Sequence, residues 1–96
     1  MVIVVRDSVS RCFSQNDGLV LKSMLDQFIT MDQPVTLSFA GIQDVTSSFV
    51  NSSLVPFVEQ FGGDRVKRLV RITSTTRQIA DTIRRCVANA ERRAFA

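Results

Sequence analysis

Residues Pro34 to Val58 read PVTLSFAGIQDVTSSFVNSSLVPFV, and two different periods meet inside that stretch. Val35, Leu37 and Phe39 alternate with Thr36, Ser38 and Ala40, the period of two expected of a strand with a buried face. Gly41 stops the strand, and a connection carrying Ile42 and Val45 leads to Thr46, Ser47 and Ser48. From Phe49 the apolar residues Val50, Leu54, Phe57, Val58 and Phe61 recur at three- and four-residue intervals, as on one face of a helix. A strand therefore feeds a helix through a hydroxyl-rich loop. At the start of such a helix, unpaired backbone N–H groups and the helix dipole favour an oxygen acceptor or an anion. Thr46 or Ser47 is placed to cap it, a contribution of roughly 1 kcal/mol.

The pattern extends in both directions. Val2 to Val5 is a β-branched run that predicts a strand near a sheet edge. Ser8 to Asn16 is polar, with Val9, Cys12 and Phe13 as expected inward contacts and room for a short strand around Ser10 to Phe13. Asp17 reads as an N-cap with Gly18 just inside. Leu21, Met24, Leu25, Phe28 and Ile29 then form a helical stripe, ending near Asp32 because Pro34 disfavours helical geometry at Gln33. Further on, Pro56 removes a hydrogen bond and crowds the Ser52 carbonyl, so the second helix should kink or split between Ser52 and Pro56. Ser52 and Ser53 read as an exposed flank of that helix, and Gly62-Gly63 as its end.

Val66, Arg68, Val70 and Ile72 alternate with Lys67, Leu69, Arg71 and Thr73, which predicts a strand. Thr75 and Gln78 have capping-box spacing at the start of a last helix. Its stripe is Ile79, Ile83, Val87, Ala90 and Ala94. Arg77–Asp81 and Asp81 with Arg84 or Arg85 have ion-pair spacing on that helix. Strands alternating with helices predict a single α/β domain over residues 1–96, with a mainly parallel central sheet, right-handed crossovers and about three helices packed on it.

Composition narrows the function. The chain has 96 residues, 45% of them hydrophobic, enough for one modest core. No run approaches the roughly 20 apolar residues of a spanning helix. The opening MVIVV lacks a basic leader and a small-residue cleavage site, so a cytoplasmic location is expected, with Cys12 and Cys86 as reduced thiols. There is no histidine, which removes Ser-His-Asp and Cys-His catalysis and the usual zinc sites. Asp7 and Asp44 are the carboxylates expected near the serine loop, and neither has a partner at a diagnostic spacing. These residues predict no enzyme, no cofactor and no metal. The net charge of +3 is concentrated after Gly62, where Arg65, Lys67, Arg68, Arg71, Arg77, Arg84, Arg85, Arg92 and Arg93 face only Asp64, Asp81 and Glu91.

The segment from Ser38 to Leu54, SFAGIQDVTSSFVNSSL, resembles the STAS fold of anti-sigma-factor antagonists and sulfate-transporter tails. Members of that fold typically read D-L-S-G-V-x-x-I-D-S-S-G-L-G-V-L-L. Gly41, Ile42, Val45, Ser47, Ser48 and Leu54 agree with it, while Thr46 stands for the usual Asp and Phe49 for the usual Gly. The chain is similar in particular to a STAS-like family of small bacterial domains of mostly unassigned function, which runs T-S-S-F at this point. Gly18, Leu21 and Leu25 also match the family's first helix.

The resemblance implies a non-catalytic regulatory interaction module. Ser48 occupies the position phosphorylated in antagonist members, with Ser47 and Thr46 as the next candidates. The implied docking surface is Asp44, Thr46, Ser47, Ser48, Asn51 and Ser52. The implied partner is a serine kinase or anti-sigma factor of the histidine-kinase-like ATPase type, which would bring the ATP itself. Two rivals come from the residues. One is nucleic-acid binding through Arg68, Arg71, Arg77, Arg84 and Arg85, which the absence of Trp and Tyr disfavours for single strands. The other is a self-associating structural subunit, such as a homodimer, paired along the Val2–Val5 edge.

Overall fold

The computed structural model describes residues 1–9 and 11–94. In chain order the elements are β1 (Val2–Val4), α1 (Val5–Ser8), α2 (Gln15–Thr30), β2 (Val35–Ser38), α3 (Ser47–Ser53), α4 (Val55–Phe61), α5 (Gly63–Leu69), β3 (Val70–Thr73) and α6 (Arg77–Ala94). The three strands lie in the order β1-β2-β3 and every pairing is parallel. Six helical segments replace the three expected helices, because one expected helix is split and two single-turn or two-turn segments, α1 and α5, were not visible in the pattern.

The register sets the layers. Ile3, Leu37 and Ile72 are partners across the sheet, as are Val35 and Val70, and these residues join Phe39 in or against the core. Val2, Thr36 and Arg71 form a row on the opposite face, and Val4, Ser38 and Thr73 form another. That second face carries no fully buried side chain, and Val2 is 59% exposed. Sequential strand order with crossovers of one hand places the connecting helices on a single face. The fold is thus two layers, helices over one side of a small sheet.

Four details differ from the sequence reading. β1 stops at Val4, and Val5 turns its fully buried side chain into the core at the start of α1. Among residues 11–13 of the expected strand around Ser10 to Phe13 there is no strand, and Ser10 lies outside the described residues. The residues from Val66 to Leu69 are helical and only Val70–Thr73 is strand. In that run the buried residues are Val66, Leu69 and Val70, spaced by three and four, so the helical stripe prevailed over an alternation built largely from Lys67, Arg68 and Arg71. Gly62, at φ 92, ends α4, but Gly63 begins α5 instead of stopping the chain.

The ends of α2 explain its place. Ser14, not Asp17, is the N-cap. Its side chain accepts from the Asp17 N–H at 3.1 Å and Asp17 Oδ2 accepts from the Ser14 N–H at 3.3 Å, a reciprocal capping box. Hydrogen bonding with the Ser14 side chain, then its backbone, holds the Asp17 carboxyl below its ordinary value. At the other end Asp32 adopts φ 57, the Asp32 N–H donates to Ile29 O and the Gln33 N–H to Phe28 O, the paired bonds of a Schellman motif. Arg65 of α5 donates to Ile29 O at 2.9 Å and lies 3.6 Å from Asp32, which Arg68 also approaches at 3.4 Å.

The kink expected at Pro56 is present. α3 and α4 meet at Leu54 (φ −94, ψ −39), and Pro56 sits in the first turn of α4. On α6, Ile79, Ile83, Val87 and Ala90 are buried as the stripe predicts, together with Thr82 and Cys86. The side chain of Ala94 lies outside the described residues. Thr76, not Thr75, accepts the Ile79 N–H at 3.2 Å at the helix start. Of the expected ion pairs, Arg84–Asp81 forms at 3.3 Å, and none other is present on α6 among the described residues.

Candidate functional site

The loop between β2 and α3 leaves the sheet at the C-terminal ends of the parallel strands, the end where open α/β sheets place their sites. Gly41, at φ 81, makes the first turn beneath the Arg6 side chain. A Cβ there would lie 2.5 Å from Arg6 Nη1. Val45 is buried and clamped by Gln78 of α6, which accepts the Val45 N–H at 3.0 Å and donates to Val45 O at 2.8 Å. The Gln78 amide thus satisfies both backbone groups of a loop residue, as a neighbouring strand would. Its Nε2 also donates to Thr82 Oγ1 at 3.2 Å. The sequence reading spent Gln78 on a capping box and missed this role, which joins positions 33 residues apart.

Thr46 is the N-cap of α3. Its Oγ1 accepts from the Phe49 N–H at 3.2 Å and donates to Phe13 O at 2.5 Å, while its own N–H donates to Cys12 O at 3.0 Å. An Asp at this position could accept the same Phe49 N–H, but an ionised carboxylate could not make the donation to Phe13 O that Thr46 makes. Phe49 is 1% exposed and packs in the core, so its ring stays away from the surface beside the serines. Phe13 points the other way from expectation, at 49% exposure, because its carbonyl rather than its ring is the group fixed to the loop.

Ser47 and Ser48 are both exposed, and among the described residues neither hydroxyl has a protein hydrogen-bond partner. Thr46 is half-buried with its hydroxyl fully engaged, so of the three candidates it is the one least open to modification. Asp44 and Asn51 are exposed on either side of the pair. Ser52 is a correction. It is buried, as is Ser53, and both donate to backbone carbonyls of their own helix, Ser52 to Ser48 O and Phe49 O, and Ser53 to Phe49 O and Val50 O. The expected exposed flank is instead the contact with α2. A Cβ on Gly18 would fall on Ser52 Oγ and lie 2.5 Å from Phe49 O, so these two helices cross with a glycine at their nearest approach.

Two recesses border the loop. One, of about 360 Å³, lies between α2 and α3–α4 and is lined by Gln15, Leu19 and Lys22 on one side and Ser48, Asn51 and Pro56 on the other. The second, of about 330 Å³, includes Arg6, Arg11, Phe13, Gln43 and Asp44. Leu19 of α2, which lines the first, is an exposed apolar side chain. The surface around Ser48 therefore combines Leu19 with Lys22, while Arg6 and Arg11 border Asp44 in the second recess.

The basic C-terminal residues are more dispersed than their sequence density suggests. Lys67 pairs with Glu91 at 3.0 Å, Arg68 with Asp32 and Arg84 with Asp81. Arg71 lies on the sheet's open face and Arg77 and Arg85 on exposed positions of α6. Both cysteines are buried and free, and burial, then the charge of Asp17, pushes the Cys12 thiol up to about 11. Among the described residues no three metal-ligating side chains cluster, and no helix is long and apolar enough to cross a membrane.

A family model described as a STAS-like domain of unknown function matches residues 19–80, well over half of the chain. No curated protein and no solved structure matches it.

Proposed function

The chain belongs to the STAS-like family whose model spans residues 19–80, and from that premise we propose that it is a non-catalytic regulatory module, docking through residues 44–51 and switched by phosphorylation of Ser48. The observation that supports this reading is the contrast inside one short loop. Thr46 is locked by three hydrogen bonds, whereas the Ser48 hydroxyl next to it is exposed without a protein partner among the described residues. A rigid loop that presents a free hydroxyl suits a kinase, which must hold the acceptor in line with its own ATP.

In this reading the partner is a histidine-kinase-like ATPase acting as serine kinase. Ser48 Oγ attacks the γ-phosphorus of ATP, the bond to the β,γ-bridging oxygen breaks, ADP leaves, and the hydroxyl proton passes to a base on the kinase. The product carries a charge of about −2 and three acceptor oxygens at the docking surface. A partner seated over the loop would then bury that charge, at a cost of several kcal/mol. A complex of micromolar affinity holds only about 8 kcal/mol, so the modification separates the two proteins.

The test is intact-mass measurement after incubation with ATP and a histidine-kinase-like ATPase of the proposed type. The expected product is heavier by one phosphate, roughly 80 Da, and is absent from Ser48→Ala. An unchanged mass, or the same heavier species in Ser48→Ala, rejects Ser48 as the switch.

A further inference from the structure

The recess between α2 and α3–α4 contains one charged side chain, Lys22, and it opens onto Ser48. Gln15, Leu19 and Lys22 follow one another at four and three residues along α2, so they form one line of that helix. Ser48, Asn51 and Pro56 form the facing wall. The two walls are held in fixed relation by the Gly18–Ser52 crossing, where no side-chain atom of residue 18 separates the helices. Lys22 is also restrained, since its Nζ stands 5.6 Å from the centroid of the buried Phe57 ring, within cation–π range. Among the described residues Lys22 has no carboxylate partner.

We propose that Lys22 is the in-chain anchor for a phosphate on Ser48, drawing it into the α2–α3 cleft. This rests on the phosphorylation reading above and adds the way the modified state is held. An ammonium in a half-enclosed recess gains more from a phosphate than it would in open water, because the effective dielectric there is lower. The unmodified chain leaves the same ammonium available to a carboxylate of the docked partner. Phosphorylation then acts twice: it adds like charge against that carboxylate and takes its cation. With a phosphate of about −2 the recess changes from net positive to net negative.

The carboxylates on the elements that wall the cleft are Asp26, one turn beyond Lys22 on α2, Asp17 at the start of α2, and Glu59 on α4. All three are unchanged by substitution of Lys22, so the lysine can be tested alone. Phosphoserine placed at position 48 during translation, by genetic code expansion, removes any need for a kinase. The second ionisation of the phosphate is then followed by ³¹P NMR from pH 4 to 8 in otherwise unmodified protein, in Lys22→Gln and in Lys22→Arg, with amide spectra confirming the fold of each.

The expected result is a phosphate pKa lower by roughly half a unit or more when Lys22 is present, since a nearby opposite charge favours the dianion. Lys22→Arg should retain the lowering, and phosphoserine at Ser47 should titrate independently of Lys22. Superimposed titrations for the Lys22 and Gln proteins at position 48 would overturn the proposal, as would equal Lys22 dependence at position 47. The two readings fail separately. Modification of Ser48 by the kinase together with superimposed titrations removes only the lysine anchor, and a lowered pKa without kinase activity removes only the switch.

Discussion

At the scale of single residues, the site depends on side chains that lack bulk or charge where a neighbour needs the room. Gly18 is the clearest case. Alanine has a helix propensity better than glycine by about 1 kcal/mol, so Gly18→Ala would stabilise an isolated helix. In this protein the added methyl would meet Ser52 Oγ and Phe49 O, and we expect a net loss of roughly 1–3 kcal/mol in urea unfolding. Combining it with Ser52→Ala removes the hydroxyl but leaves the carbonyl, so the loss should be recovered only in part. Full recovery, or a more stable Gly18→Ala, would show that the helices can separate at no cost.

Cys12 gives a second residue-level test. Its folded thiol is held up to about 11, against 9.0 for the ordinary group. The folded state therefore keeps its proton at pH values where the unfolded chain has released it. Stability from this source is complete below pH 9 and declines as pH rises from 9 towards 11. Cys12→Ala should lower stability at neutral pH through lost packing and should flatten the alkaline decline. An alkaline decline of equal slope in Cys12→Ala would assign it to other groups.

At the scale of elements, periodicity revealed most of what is present. The alternation at Val35, Leu37 and Phe39 gave the central strand, and the stripes at Leu21–Ile29 and Ile79–Ala90 gave the two long helices. Pro56 announced the break between α3 and α4, because a missing N–H acts locally. The failures have a common cause. Val66–Thr73 satisfied both an alternating and a helical template. Burial of Val66 and Leu69, together with docking of Arg65 on the end of α2, accompanies the helix in its first half. Ser52 read as exposed because it was placed opposite the sheet-facing Phe49 and Val50, whereas that side packs on α2, its hydroxyl is satisfied within its own helix and its size admits Gly18. A hydroxyl cap was legible as Thr46 or Ser47, which the structure resolves to Thr46, and Ser48 was legible as the hydroxyl left over. Lys22 and Gln78 were not, because each reaches the loop only through tertiary packing.

Gln78 offers the element-level prediction. Its amide links α6 to the loop by satisfying both the N–H and the C=O of Val45. Gln78→Ala leaves those partly buried groups without a partner, which costs about 1–3 kcal/mol. It should also raise hydrogen exchange at the Val45 amide above that at Thr46, whose bond to Cys12 O is independent of Gln78. Unchanged exchange at Val45 would mean that the loop is positioned by the β2 and α3 ends alone.

At the scale of the whole molecule, a three-stranded parallel sheet with helices on one side delivers its strand ends, and so the serine loop, to one pole. Thr46 fastens that loop to Cys12 and Phe13, Gln78 fastens it to α6, and the Gly18–Ser52 crossing sets α2 beside it. Three separate elements thus hold one exposed hydroxyl in place. The most direct test of the switch is calorimetric titration of a histidine-kinase-like ATPase, the proposed partner, into this protein, with Ser48 either unmodified or introduced as phosphoserine. The account predicts micromolar or tighter binding by the unmodified protein and a loss of about 100-fold or more, near 2.7 kcal/mol, with phosphoserine at position 48. Equal affinity for the two proteins would contradict it.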